Sequence, residues 1–216
     1  MPVQIISPQE AAAMIPDGAS VMFGGFMTCG GSHTIVDALV EAQRKDLTMI
    51  CNDTGLPGKG VAKLIENRMV KSLKATHVGL TPETGRQINA GEIEYELMPQ
   101  GTFVERIRAA GAGLGGILTP TGVGTIVAEG KQLISLGGRD YLLELPLSAG
   151  FAIVKGHQAD KGGNIYYRRA TRNFNVAMAT AAQIVIAEVE HIVEIGEIDP
   201  DMVMTPGLFV DYLVQA

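Results

Sequence analysis

The 216 residues are short of charge, of cysteine and of long apolar runs, and each shortage excludes a class of protein. Only 19% of the residues are charged and the formal net charge is −6. No basic face of the kind that phosphate backbones require is legible, so nucleic acid is not expected as a partner. The two cysteines, Cys29 and Cys51, form no CxxC pair, which predicts a reduced, cytoplasmic protein without a disulfide framework. No apolar run approaches the roughly 20 residues that cross a bilayer, so no membrane association is expected. No lysine or arginine precedes Arg44, and the charged start of a secretory signal is missing. HExxH spacing is absent, and His33, His77, His157 and His191 are scattered, so neither a metal nor a resident cofactor is expected.

What is present is apolar substance: 46% of the chain, enough for one substantial core. A domain of this size buries roughly 70–75% of the surface that its unfolded chain exposes. The low charge also points to a surface partly covered by another protein.

Along the chain, Ser7-Pro8-Gln9-Glu10 reads as a capping box opening a helix that ends at Pro16-Asp17-Gly18. Ala19 to Phe23 reads as a strand that stops at Gly24-Gly25. Thr34 to Ala42 has helical spacing, with Ile35, Ala38, Leu39 and Ala42 on one face. The alternation continues with strands over 47–51, 73–78 and 93–98, a helix over 60–67, and a helix opened by a Thr102-to-Glu105 capping box. Residues 111–138, rich in glycine and threonine, read as a long ordered loop. Strands resume over 141–145, 151–154, 164–167 and 183–189, with a short helix over 176–182. The whole, residues 1–216, is expected to be one α/β domain: an open, mainly parallel sheet with helices on both faces. Ligands in such sheets bind where strands end and helices begin, which singles out the loops after Phe23, Cys51, Val78 and Met98.

One motif misleads. Gly111-Ala-Gly-Leu-Gly-Gly has GxGxxG spacing but follows a predicted helix instead of leaving a strand. Its first glycine is better explained as a left-handed helix cap, and no dinucleotide is expected there. The Gly24-to-Gly30 segment has the right setting, because a strand runs into glycines and then a helix. Glycine lets a ligand approach backbone there, though a tight turn is an equally good reading of the geometry.

The segment from Asp17 through Phe23-Gly24-Gly25-Phe26 to Gly30 resembles the signature of the A (alpha) subunit of family I coenzyme A transferases. Ser32 stands where the signature has proline. Cys51-Asn52-Asp53-Thr54, Thr81 to Arg86, Pro99-Gln100-Gly101-Thr102, Thr119 to Thr125, Arg172-Asn173-Phe174-Asn175 and Thr205-Pro206-Gly207 are similar to family segments, in the family's order. The resemblance covers nearly the whole chain and is closest to bacterial subunits that handle acetate, acetoacetate and butyrate. It implies the fold shared with sugar-phosphate isomerases, with coenzyme A as a substrate. It also implies a B (beta) subunit partner, in an α2β2 assembly, whose Ser-Glu-Asn-Gly glutamate attacks the thioester. No Ser-Glu-Asn-Gly occurs in these 216 residues, so the chain alone is expected to be inactive. For this chain the resemblance implies Gln100 as an oxyanion donor. It implies Gly24, Gly25, Phe26, Met27, Thr28, Cys29 and Gly30 as contacts of coenzyme A or its acyl end. On residue chemistry alone, Cys29 reads as a small lining residue, Asp53 and Glu83 as loop caps, and Arg106 and Arg108 as a solvated or interface face. A stand-alone isomerase or hydrolase and a non-catalytic binding subunit are the competing readings.

Overall fold

The structure, a computed structural model, describes residues 2–216. Its elements are strands β1 (Gln4–Ile5), β2 (Ser20–Phe23), β3 (Leu47–Cys51), β4 (Val70–Ala75) and β5 (Glu94–Leu97), interleaved with helices α1 (Pro8–Met14), α2 (Thr34–Glu41), α3 (Ala62–Glu66), α4 (Pro82–Asn89) and α5 (Gln100–Gly111). Then come β6 (Ile117–Thr119), β7 (Leu133–Leu136), β8 (Arg139–Glu144), β9 (Ala149–Asp160), β10 (Ile165–Tyr166), α6 (Asn175–Ala179), β11 (Ala182–Val193) and β12 (Tyr212–Gln215).

The large sheet runs β1-β12-β11-β9-β2-β3-β4-β5, all parallel, with β10 returning antiparallel on β9. From β2 the chain winds outward through β3, β4 and β5; from β9 it winds the other way through β11 and β12. The winding therefore reverses between β2 and β9, and in sheets of this kind that crevice receives ligands. The loop leaving β2 opens into it.

Each face of the sheet carries its own apolar cluster. On one face Phe23, Met49, Leu73 and Ile153 pack against Ala11, Ile35, Leu39 and Leu64 of α1, α2 and α3, and against Ile15 just after α1. On the other, Met22, Ile50, Ala152 and Val185 pack against Phe103, Ile107 and Met178 of α5 and α6. This alternation of faces along single strands is what makes the strands near-continuously apolar. Helices on both sides of a mainly parallel sheet are the arrangement that the alternating pattern predicts.

One local expectation is met and three need correction. The Ser7 capping box forms as read, with Glu10 N–H to Ser7 Oγ at 3.1 Å and Ser7 N–H to Glu10 Oε2 at 2.7 Å. The Thr102 box does not form: α5 starts two residues earlier, after Pro99, and the Thr102 hydroxyl is buried without a partner among the described residues. Proline at the N-cap starts the helix by its fixed φ, so the later threonine falls inside it. Gly111 is still helical, and the left-handed residue is Gly113 (φ 68°). Residues 111–138 are not one long loop; they contain β6 and β7, which join β8 in a small antiparallel sheet, β6-β8-β7. Their strand signal is weak because Leu118, Leu133 and Leu136 point to solvent, leaving little apolar alternation. Helix α4 was not legible either, since its buried positions are the polar Thr84 and Gln87.

Arg106 ties the small sheet to the body. Its guanidinium donates to the Leu145 carbonyl (2.8 Å) and to Glu96 (2.7 Å), with the buried Glu144 carboxylate 3.8 Å away. It is thus a buried structural residue, not part of a solvated face. Arg108 is exposed and pairs with Glu105.

Candidate functional site

The loops singled out from the sequence meet at the carboxyl ends of β2, β3, β4 and β5. The glycine loop turns tightly: Phe26 and Cys29 exchange backbone hydrogen bonds of 3.0 and 2.9 Å, with Met27 left-handed at φ 56°. Its glycines are required by contact. A Cβ on Gly24 would lie 1.8 Å from Asn175 Oδ1, and one on Gly30 (φ 71°) 2.5 Å from the Thr171 carbonyl.

Two asparagines hold the loop from behind. Asn173 accepts from Gly25 N–H (3.1 Å) and donates to the Cys29 carbonyl (2.9 Å), so one amide spans both ends of the turn. Asn175, fully buried, donates to the carbonyls of Gly30 (2.9 Å) and Thr171 (2.8 Å) and accepts from Lys155 N–H (3.0 Å). Nearly 150 residues separate the two asparagines from the glycine loop, so no local pattern could reveal the clamp; only the resemblance drew attention to the segment 172–175.

From the other side, Asp53 fixes the loop. Its buried carboxylate accepts from Met27 N–H (2.8 Å), Asn52 Nδ2 (2.7 Å) and Gly55 N–H (2.9 Å). The bond to Gly55, two residues on, is the expected loop cap; the bond to Met27 was not expected. Asn52 carries the network onward. Its Oδ1 accepts from Thr76 Oγ1 (2.9 Å) and from Gln100 Nε2 (2.7 Å). Gln100 is the first residue of α5 and is exposed, with one of its two amide N–H bonds spent on Asn52. The structure thus joins Gln100 to the glycine loop through Asn52, Asp53 and Met27.

The remaining expected residues fall as follows. Phe26 and Met27 are exposed, and Cys29 is an exposed free thiol. Thr28 lines a narrow recess between the loop and His33. Cys51 is buried, and burial together with the Asp53 charge pushes its thiol well up, so it stays neutral. Glu83 is no loop cap. It bonds to Arg86 and Gln87 within α4, and these bonds, Arg86's first, pull its pKa down to about 2. A carboxylate held ionised in this way is a poor general acid.

Ser32 is buried and donates its hydroxyl to Glu188 of β11. The same carboxylate accepts from Ile35 N–H (3.0 Å) and His33 N–H (3.3 Å) and pairs with Lys155 (2.9 Å). A side chain from a distant strand therefore caps α2, which has no local side-chain cap. Burial opposes a charge on Glu188, but the Ser32 hydroxyl, the Lys155 ammonium and the Ile35 N–H together hold its pKa below the ordinary carboxylate range. The signature proline has no hydroxyl to offer here. Replacing Ser32 with alanine is expected to cost about 1–2 kcal/mol, one buried hydrogen bond to a charged acceptor. Urea unfolding at fixed protein concentration would check this; an unchanged midpoint would mean that the hydroxyl bond adds nothing.

Two of the four scattered histidines do meet. His157 Nδ1 lies 2.6 Å from Glu190, and His157, Glu190 and His191 present ligand-type atoms within 4.8 Å of one another. Strand pairing of β9 with β11 brings them together across more than thirty residues.

A family model described as coenzyme A transferase matches residues 5–216. The acetoacetyl-CoA:acetate/butyrate CoA transferase alpha subunit of Clostridium acetobutylicum is 46% identical over 212 residues, 98% of this chain and 97% of that protein. The acetate CoA-transferase subunit alpha of Escherichia coli K12 is 45% identical, over 99% of this chain and 97% of that protein. Among solved structures, an acyl-CoA transferase from E. coli O157:H7 in a thioester complex with CoA superposes with a TM-score of 0.89 at 23% identity. This chain, matched in full, spans 47% of its length. The decarboxylase AibA/AibB matches at 27% identity and a TM-score of 0.85, over 100% of this chain and 84% of that one. The fold alone therefore does not select a reaction. With a family match over 212 of the 216 residues and relatives near 45% identity over almost their whole length, the chain belongs to the coenzyme A transferase family.

Proposed function

We propose that this chain is the alpha subunit of a transferase that moves coenzyme A between short carboxylic acids of the acetate, acetoacetate and butyrate class, and that it works only with a beta subunit. One observation carries the split-site reading. The carboxylate at the loop cluster, Asp53, is buried and already accepts three N–H donors, so it is not free to attack a thioester. What the cluster offers instead is a donor, the Gln100 amide, held by Asn52.

The two halves of the chemistry then divide between subunits. A partner glutamate attacks the acyl-CoA carbonyl, and the thiolate leaves to give an acyl-glutamyl anhydride. The thiolate returns to the glutamyl carbonyl, releasing the carboxylate and forming a glutamyl-CoA thioester, which a second acid reverses. Each addition places negative charge on a carbonyl oxygen. The free N–H of Gln100 is the donor assigned to that oxygen, preorganised because its other N–H is tied down. At the glycine loop, Phe26, Met27 and Cys29 are the exposed residues that a thioester would meet, while Gly24 and Gly30 are buried against Asn175 and Thr171 behind it. Leu118, Ile126, Leu133 and Leu136, all exposed on or beside the small sheet, support a partner-covered surface.

The test is transfer from acetyl-CoA to butyrate or acetoacetate, by the chain alone and co-expressed with a beta subunit. Turnover only in the co-expressed sample, abolished when the partner's glutamate is changed to alanine, is the expected result. Activity of the chain alone would place the nucleophile here and overturn the reading. A complex that forms but transfers nothing would make this a binding subunit.

A further inference from the structure

Past Ile153 the strand β9 has no β2 beside it and runs on to Asp160, paired with β11 and β10. On this overhanging ribbon the register sets Gly156 against Val189 and Gln158 against His191, so His157 and Glu190 stand side by side between them. Adjacent strands lie about 4.8 Å apart, within reach of an imidazole and a carboxylate. The two side chains meet, with His157 Nδ1 2.6 Å from Glu190 Oε2. His191, the next residue of β11, adds a second imidazole, its ring centroid 5.2 Å from that of His157 and the planes at 84°. Each of the three thus offers a ligand-type atom within 4.8 Å of the others. Because 33 positions separate His157 from Glu190, the cluster leaves no metal-binding spacing in the sequence.

Several features suit this cluster to an ion better than to a plain surface ion pair. Its members sit on paired strands, which hold ligands more precisely than a loop does. The His157 ring is flanked on its other side by Tyr166 of β10, with 6.1 Å between centroids and 68° between planes. Glu190 pairs with no lysine or arginine among the described residues, so only His157 meets its charge. Glu190 and His191 are exposed, which leaves room for water at a fourth coordination position. The nearby cations oppose an ion weakly. Lys155 is held by Glu188, and Arg168 and Arg169, which line the same cleft as His157 and Glu190, are exposed and screened by solvent.

The distances are those of a site that closes on its ion. Tetrahedral zinc, with bonds of about 2.0–2.2 Å, sets its donor atoms about 3.4 Å apart. Widening the 2.6 Å contact of His157 with Glu190 to that spacing takes a shift of about 1 Å by an exposed glutamate. A rotamer change of His191 closes the remaining gap. Two imidazole nitrogens and one carboxylate oxygen suit zinc and its late first-row neighbours; magnesium and calcium take oxygen ligands.

We propose that His157, Glu190 and His191 form a three-ligand site for a divalent transition metal ion of the zinc class, clipping β9 to β11 where the pair extends past β2. The proposal goes beyond the functional reading above and stands whether or not that reading holds.

The test is calorimetric titration with zinc ion alone, on untagged chelator-treated chain and on the assembled alpha–beta protein. One zinc per chain should bind with micromolar Kd in both, and magnesium should not bind. His191→Ala and Glu190→Gln, both at exposed positions, should each raise Kd by at least about tenfold, the least that loss of a supporting group around a metal costs. Zinc should also raise the unfolding midpoint of the wild type and not that of His191→Ala, since an ion that binds only the folded chain stabilises it. Undiminished zinc binding in both variants would put the ion elsewhere, such as at the Cys29 thiol, and overturn the proposal. Magnesium binding as well as zinc would reduce the cluster to a negative patch and do the same. Binding by the chain that vanishes on assembly, or no zinc binding at all, would also sink it.

Discussion

Replacing Gln100 with alanine in the assembled enzyme is expected to lower kcat by about 10²–10³-fold while leaving assembly and stability nearly unchanged. The magnitude is that of removing one oxyanion donor from a preorganised site. The separation of effects follows from the geometry. Gln100 is exposed at the start of α5, and its one bond is to Asn52, which Thr76 also holds. Loss of an exposed side chain away from a core costs at most about 0.5 kcal/mol. A Gln100→Glu variant should be slower still, because it puts an acceptor and a negative charge where negative charge develops. Steady-state kinetics on the assembled variants, with urea unfolding alongside, decides the matter. A kcat within a fewfold of wild type would remove Gln100 from the chemistry.

The second large effect concerns stability. Glu188→Ala should destabilise the protein by about 3–5 kcal/mol, the cost of breaking a buried ion pair by deleting one partner. Lys155, 14% exposed in the wild type, would lose its counter-charge, and the N–H groups that open α2 would lose the only side-chain acceptor they have among the described residues. Glu188→Gln keeps hydrogen-bonding capacity and should lose less. The pH dependence has a definite sign. The folded-state pKa lies below the ordinary 4.5, so the unfolded chain binds the proton more readily. This contribution is therefore complete above about pH 4.5 and is lost as pH falls through the lower folded value. Wild-type unfolding free energy should fall with acid in that window, and the Glu188→Gln protein should show a shallower fall. A destabilisation below about 1 kcal/mol, or identical acid slopes, would show that the pair is not the main prop of this corner.

Glu188 also illustrates what a sequence withholds. It lies at the end of a continuous apolar strand run, and nothing local marks its role. It becomes the cap of α2 because β11 lies one strand beyond β9, and β9 lies beside β2. The departure of Ser32 from the signature proline is likewise legible as a departure, but its consequence is not. The hydroxyl has meaning only once Glu188 stands beside it.

By itself the sequence determined the class of fold, the placing of the early strands and helices, and the glycine turn between the second strand and the second helix. These follow from short-range rules: apolar periodicity, capping chemistry, and glycine where a strand gives way to a helix. The family's ordered motifs singled out Gln100 and the segment 172–175 without showing what either touches. Tertiary structure decided the rest: that Asp53 and Asn52 link Gln100 to Met27, that Asn173 and Asn175 clamp the loop, that residues 111–138 build a sheet, and that Glu188 caps α2. The β7–β8 hairpin apart, these depend on contacts between residues dozens to more than a hundred positions apart. Such contacts are set by strand order and by the reversal of winding between β2 and β9, which no local pattern encodes.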